Sequence, residues 1–213
     1  MPDFSCEDRA LADGFFLIAG VDEAGRGPWA GPVVAGAAVL SRADLPDALL
    51  AGLDDSKKLT AKRRLAMFQL LEAWEGATIG VGIADRAEID ELNILQATLL
   101  AMTRAVKNLA RRPDYILVDG NQIPKLTIPA LAIKKGDGIS LSIAAASVVA
   151  KVTRDRMMEN LAQDYPEYGW ERNAGYGTAQ HRAALDRLGV SPHHRRSFRP
   201  VRELLAAKTD TGT

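Results

Sequence analysis

Phe15-Phe-Leu-Ile-Ala-Gly-Val-Asp-Glu-Ala-Gly-Arg-Gly-Pro-Trp-Ala-Gly-Pro-Val-Val-Ala-Gly-Ala-Ala-Val-Leu40 is two apolar runs held apart by acid, glycine and proline. Residues 15–21 end in Asp22 and Glu23, and residues 32–40 are bounded by turn residues and contain valine, so each run reads as a strand and the two as a hairpin pair. A carboxylate at the end of a buried strand is costly unless it is paired, hydrated or bound to a cation. Asp22 and Glu23 are therefore the first candidates for chemistry. They also pose a geometric difficulty, because neighbours on a pleated strand point to opposite faces. Both reach one cleft only if the strand breaks there, which the glycines after Glu23 permit.

The same stretch contains Gly25-Arg26-Gly27-Pro28-Trp29-Ala30, which matches the G-x-G-x-x-G/A pattern of dinucleotide-binding turns. That reading fails on physical grounds. The pattern serves a diphosphate only when a helix begins within the glycines, whereas Pro32 onward reads as a strand. Two carboxylates just ahead of the loop would also repel a diphosphate. The loop instead suits close backbone approach to a nucleic-acid sugar, with Arg26 available for phosphate.

Further along, residues 60–75 read as a helix capped by Thr60, with Leu65, Phe68, Leu70 and Leu71 as its apolar positions, and 77–83 as a third strand. Asp85 and Glu88 form a capping-box pattern that opens a helix carrying Ile89, Leu92, Leu95, Leu99, Met102 and Val106 on one face and ending by Pro113. Residues 115–118 are a short buried strand terminated by Asp119-Gly120, and 131–133 a further one. A small-residue helix follows from Ile139 to about Gln163, with Ala144, Ala145, Ala146 and Ala150 suited to close packing on a sheet. Helices at 178–188 and 200–207 complete the chain, with fraying expected at Thr209 to Thr213. The early hairpin and the later crossovers together indicate an α/β fold with a mixed sheet flanked by helices.

Asp119 repeats the strand-end placement of Asp22 and Glu23, and Asp137 lies in Lys134-Lys-Gly-Asp-Gly138, just ahead of the small-residue helix. If those strand ends are neighbours, four acids converge in one crevice. Like charges so close raise one another's pKa, and a hard divalent cation reverses that penalty. An oxygen-only donor set favours Mg²⁺ or Mn²⁺ over Zn²⁺. Two such ions about 4 Å apart support in-line phosphoryl displacement without a protein nucleophile. Taken singly, Asp119-Gly120 is also ordinary turn chemistry, and Asp137 also suits a helix cap.

The bulk properties agree with a globular enzyme. Of 213 residues 47% are hydrophobic and 25% charged, with 27 basic against 27 acidic side chains. A lone cysteine, Cys6, excludes an internal disulfide and a cysteine-built metal site. With no basic leader before the first apolar run and no apolar stretch near the ~20 residues of a membrane span, a cytoplasmic protein free of the membrane is expected. Between Glu171 and Lys208 eight basic residues face three acidic ones, which suits either a solvated helix face or a phosphate-facing surface.

Val21 to Val33, together with Asp55-Ser-Lys-Lys-Leu59, Val118-Asp-Gly120, Lys135-Gly-Asp137, Ser142 to Asp155, Gly175-Tyr-Gly-Thr178 and His194-Arg-Arg-Ser-Phe198, resembles ribonuclease HII of the type 2 ribonuclease H family. The resemblance runs in order over most of the chain. It implies a ribonuclease H-like fold, one catalytic domain over residues 1–213 with a helical C-terminal extension from about 164. It also implies that Asp22, Glu23, Asp119 and Asp137 are the catalytic acids and bind Mn²⁺ or Mg²⁺. By the same resemblance Gly25, Arg26 and Gly27 read the ribose 2′-hydroxyl, the group that separates RNA from DNA, and Tyr176 stacks on the adjoining deoxyribose. The implied activity is endonucleolytic hydrolysis of the RNA strand of RNA–DNA hybrids and cleavage at single ribonucleotides in duplex DNA. The products carry 5′-phosphate and 3′-hydroxyl ends, and the role lies in DNA replication and repair.

On the residues alone, Tyr176 between two glycines is a loop aromatic. Lys57 and Lys58, with Lys62, Arg63 and Arg64, either contact substrate phosphates or solvate a helix start. Nothing in the sequence ties His181, His193 or His194 to the acids, so a surface or structural place is expected for them. A monomer is expected. Two competing readings are another nuclease of this fold, such as a junction resolvase, and a hybrid-binding module without catalysis.

Overall fold

The computed structural model describes residues 1–210, with side chains through residue 207. Its elements in chain order are α1 (Ser5–Ala12), β1 (Ile18–Ala24), β2 (Val33–Leu40), α2 (Asp47–Gly52), α3 (Ala61–Ala73), β3 (Ala77–Ala84), α4 (Arg86–Leu92), α5 (Ile94–Lys107), β4 (Tyr115–Asp119), β5 (Ala130–Ile133), α6 (Leu141–Asp164), α7 (Trp170–Asn173), α8 (Ala179–Leu188) and α9 (Arg199–Asp210). The strands form one sheet in the order β3-β2-β1-β4-β5. β1 pairs antiparallel with β2 and β2 with β3, while β1–β4 and β4–β5 are parallel. The sheet is therefore mixed, as the hairpin and later crossovers require.

Close approach of helix to sheet is bought at glycines. α6 lies on one face, where a Cβ at Gly20 would fall 2.1 Å from the Ser142 carbonyl carbon. α5 lies on the other, where a Cβ at Gly82 would fall 2.0 Å from the Ala101 carbonyl oxygen. Ala144, Ala145, Ala146 and Ala150 are fully buried, and residues 141–150 are enclosed all round, which is why the first half of α6 carries small and apolar side chains on every face, while Arg156, Glu159 and Gln163 are exposed on its second half. On the α5 face Ala19, Val21, Ala35, Ala37, Ile116 and Val118 join Ala97, Ala101 and Ala105 in one core.

Asp85 and Glu88 do form the expected capping box. The helix it opens is not continuous, however. Asn93, at φ 70°, breaks it into α4 and α5, and its side chain accepts hydrogen bonds from the Leu95 and Gln96 amides to restart the second helix. Leu92 and, on α3, Leu65 are exposed, and the α3 core positions are Met67, Phe68 and Leu71. Neither α1 nor α2 was legible in the sequence. α1 buries only Glu7 and Ala10, so it has no apolar stripe to read, and α2 has six residues.

Beyond Asp164 the chain forms α7, α8 and α9 joined by loops, and Tyr168, Trp170, Ala184, Leu185 and Val201 pack with Met158 and Ala162 of α6 and with Ala30. This C-terminal region thereby buttresses the loop between β1 and β2. α9 extends through Thr209 and Asp210, and the rest of the stretch expected to fray, residues 211–213, lies outside the described residues.

Candidate active site

β1 does not break at Glu23. It stays paired with β2 as far as Ala24 opposite Val34, while its pairing with β4 stops at Val21 opposite Val118. β1 therefore outruns β4, and its last residues border an open crevice on that side. Asp22 follows the pleat of Gly20 toward α6 and Glu23 that of Val21 toward α5. The Glu23 carboxylate nonetheless meets the other two, so the expectation of a strand break is replaced by a strand that runs on past its neighbour. Asp119, the last residue of β4, has its Oδ1 fixed by the Gly136 amide at 2.7 Å. Carboxylate oxygens of Asp22, Glu23 and Asp119 lie within 4.8 Å of one another.

Asp137 is buried in a single 3-10 turn, Gly136–Gly138, at the entrance to α6. It stands beside the trio rather than inside it. Its carboxyl has a raised pKa from burial, then from the Asp55 and Asp119 charges, with a hydrogen bond to Asp55 adding to the rise. Asp55 is thus a fifth acid at the site, given no role by sequence reasoning although its motif was in plain view. Asp22 is only 4% exposed, and its pKa is raised well above the ordinary carboxylate range by burial, then by Glu23 and Asp119. A hydrogen bond of 2.6 Å from the Glu23 amide to its Oδ1 works in the opposite direction without prevailing.

The cations divide. Burial pulls the Lys57 ammonium down, but Asp22, Asp55, Asp137 and Asp119 outweigh it and its pKa is raised; Lys57 belongs to the crevice. Lys58 is held by Asp54 Oδ1 at 3.1 Å, on the exposed side. Arg26 is not free: its Nη1 lies 3.1 Å from Glu23 Oε1. Three crowded carboxylates with this little compensation form an oxygen-only donor set suited to a hard divalent cation, which would relieve the repulsion that raises Asp22.

The loop between β1 and β2 meets the segment after α7. A Cβ at Gly27 would lie 3.4 Å from Tyr176 Cε1, and the Trp29 amide donates to the Gly175 carbonyl at 2.8 Å. Gly25, at φ 96°, turns the chain in the left-handed region. Tyr176 is 48% exposed, so its ring is available beside Gly27. Arg26, Gly27 and Tyr176 are exposed together beside Glu23, while Gly25 is buried behind them against Arg154.

His181 and His194 are fully buried, and His193 half-buried. The Ser191 amide donates to His194 Nδ1 at 3.0 Å, which leaves His194 Nε2 to donate to His181 Nε2 at 3.0 Å and His181 Nδ1 to donate to the Tyr176 carbonyl at 2.9 Å. The tautomers follow from these partners. The histidines are structural, as expected, but inside the protein and tied to the Tyr176 segment. Arg154 and Arg195 are also buried against the 25–32 loop. In the sequence Arg154 falls in the small-residue helix and Arg195 in the basic segment from Glu171 to Lys208, with nothing to mark either side chain as interior.

A family model described as Ribonuclease HII matches residues 19–201. A ribonuclease HII from Rhodospirillum rubrum is 60% identical over 206 residues, covering 97% of this chain and 93% of that protein. Among solved structures, the ribonuclease H2 of Pyrococcus horikoshii is 30% identical with a TM-score of 0.74, covering 90% of this chain and 98% of that one. Bst RNase HIII in complex with Mn²⁺ is similar in fold, at 19% identity and a TM-score of 0.72 over 92% of this chain and 71% of its own.

Proposed function

The chain belongs to the ribonuclease HII family, and on that premise we propose that it hydrolyses the RNA strand of RNA–DNA hybrids and cleaves at single ribonucleotides in duplex DNA, using divalent ions held by its acids. The observation that carries this reading is the meeting of Asp22, Glu23 and Asp119 oxygens within 4.8 Å at the open end of β1 and β4. Asp22, Glu23 and Asp119, with Asp137 alongside, are the residues that would hold Mn²⁺ or Mg²⁺. The chemistry that a pair of such ions supplies is activation of water and neutralisation of charge on the leaving oxygen.

The chain's own residues supply position. Gly25 and Gly27 let the backbone approach the ribose, where a 2′-hydroxyl distinguishes the substrate from DNA, and Tyr176 offers an aromatic face to the next sugar. Lys57, already drawn to the acids, offers a charge to a phosphate beside them, and Lys58 at the rim offers a second. Arg26 exchanges its bond to Glu23 for a phosphate as substrate enters. Water adds to phosphorus, the bond to the 3′-oxygen breaks, and that oxygen takes a proton. The ends are a 5′-phosphate and a 3′-hydroxyl. Among the described residues no helix is long and apolar enough to cross a membrane; the reading is of a cytoplasmic monomer acting in DNA replication and repair.

The test is a labelled DNA duplex with one embedded ribonucleotide, beside an all-DNA duplex and a long hybrid, in Mn²⁺, in Mg²⁺ and in chelator. Cutting confined to ribonucleotide-bearing strands, and lost in chelator, is expected. Cleavage of the all-DNA duplex would favour a resolvase, and tight binding without turnover in either metal would leave only a binding module.

A further inference from the structure

Two guanidinium groups lie back to back behind the 25–32 loop, and neither has a carboxylate within ion-pair distance among the described residues. Arg154, on α6, is 1% exposed and Arg195 is fully buried. Arg154 donates from Nε to the Pro32 carbonyl at 3.0 Å, from Nη1 to Ala174 at 3.0 Å and from Nη2 to Ala30 at 3.3 Å. Arg195 donates from Nε to Gly31 at 2.9 Å, from Nη1 to Arg26 at 3.0 Å, and from Nη2 to Gly25 at 2.6 Å and Pro32 at 3.1 Å. The two groups meet on the one Pro32 oxygen. Burying a charge without a counter-ion is expensive even when its hydrogen bonds are made. Burial and mutual repulsion accordingly depress Arg195, to about 9. Apolar side chains of similar volume would fill the same space but leave these loop carbonyls without donors, so what the pair supplies is its hold on the loop backbone.

What the pair does to the backbone is specific. A trans peptide is planar, and the carbonyl of one residue points opposite to the amide of the next. Arg195 draws the Gly25 and Arg26 carbonyls inward, so the amides of Arg26 and Gly27 point outward. Neither amide has a backbone or side-chain acceptor among the described residues. They emerge beside Glu23 and the Tyr176 ring. Arg154 ties the same loop to Ala174, two residues before Tyr176, so the two halves of this face are registered by one side chain.

We propose that Arg154 and Arg195 are positioning residues for the substrate: their forks hold the loop carbonyls from behind, present the Arg26 and Gly27 amides as a donor pair to the ribonucleotide, and place two unneutralised charges beneath the adjoining phosphate. This rests on the reading that the 25–27 loop meets the ribose. An ammonium cannot span four carbonyls as Arg195 does, so Arg195→Lys keeps the charge and loses the fork.

The experiment measures Mn²⁺ affinity by calorimetry and steady-state cleavage of a single-ribonucleotide duplex by wild type and Arg195→Lys. A KM about ten-fold higher with kcat less affected is expected, equivalent to about one lost charged hydrogen bond, while Mn²⁺ affinity stays at the wild-type value. A KM raised by less than about five-fold in a folded variant overturns the proposal, and so does a loss of Mn²⁺ affinity, which would mark a general structural role. Should Arg195→Lys not fold, amide hydrogen exchange in the wild type decides. Fast exchange at Arg26 and Gly27 in the free protein, slowed by a ribonucleotide duplex, supports the proposal; slow exchange in the free protein overturns it. Failure of the wild type to cut any ribonucleotide-bearing strand would instead sink the functional reading beneath it.

Discussion

Asp22→Asn should make the metal-free protein more stable. Asp22 is 4% exposed and its carboxylate oxygen lies within 4.8 Å of those of Glu23 and Asp119. Two unit charges at such a separation repel by about 3 kcal/mol at an effective dielectric of about 20. Uptake of a proton by Asp22 already relieves part of this, so the gain on removing the charge is about 1–3 kcal/mol. Asparagine keeps the shape, and its amide oxygen still accepts the Glu23 amide. For a chain of this length that gain raises Tm by about 3–10 °C. The sign with pH follows from the direction of the shift. Asp22 titrates above its unfolded value, so its contribution to the metal-free fold is present at low pH and lost as pH rises through the elevated folded pKa. The advantage of the variant therefore grows toward neutral pH. With Mn²⁺ at about one thousand times Kd the wild type gains about 4.1 kcal/mol, the variant much less, and the order of stability inverts. Calorimetric melts in chelator and in Mn²⁺ read this directly. A variant that melts below wild type in chelator, or equal Mn²⁺ shifts in both proteins, would refute the reasoning.

Asp119→Asn keeps an acceptor for the Gly136 amide but loses a ligand charge; cleavage should disappear while hybrid binding, measured by fluorescence anisotropy, persists. Tyr176→Ala should lower kcat/KM at a single ribonucleotide by about ten-fold, the scale of one lost aromatic contact, and an unchanged rate would remove its place in recognition. Gly20→Ala would set a methyl 2.1 Å from the Ser142 carbonyl carbon, and overpacking of this kind destabilises by about 3 kcal/mol or more; a melt within a degree or so of wild type would show that α6 is free to move. Burial depresses both internal histidines, His194 to about 3. Their contribution is present above the ordinary histidine range and is lost as pH falls toward those folded values, so Tm of the Asp22→Asn protein should decline from about pH 6.5 to pH 5. A flat profile there would mean that the histidine relay is not held neutral.

The sheet was legible because its signals are local. The apolar run of residues 32–40, the capping box at Asp85 and the small-residue run of α6 each state their element within a dozen residues. Asn93 was missed because helical periodicity continues across it, and only its positive φ breaks the helix. Asp22, Glu23 and Asp119 could be named from their positions at strand ends and Asp137 from its place ahead of a helix, but not how Asp22 and Glu23 reach one crevice. That depends on where β4 stops relative to β1, a matter of register between strands nearly a hundred residues apart. Asp55 was hidden for the same reason, since it meets Asp137 only through tertiary packing. Arg154 and Arg195 were the least legible of all. An arginine reads by default as solvated, and nothing local tells that its partners are carbonyls of a loop more than a hundred residues away.

Central to everything above is that Asp22, Glu23 and Asp119 share a divalent cation. Crystals soaked in Mn²⁺ and measured at a wavelength where manganese scatters anomalously would answer this. An anomalous peak bonded to oxygens of all three residues is the expected result, and a peak elsewhere, or none at a concentration that supports cleavage, would contradict it.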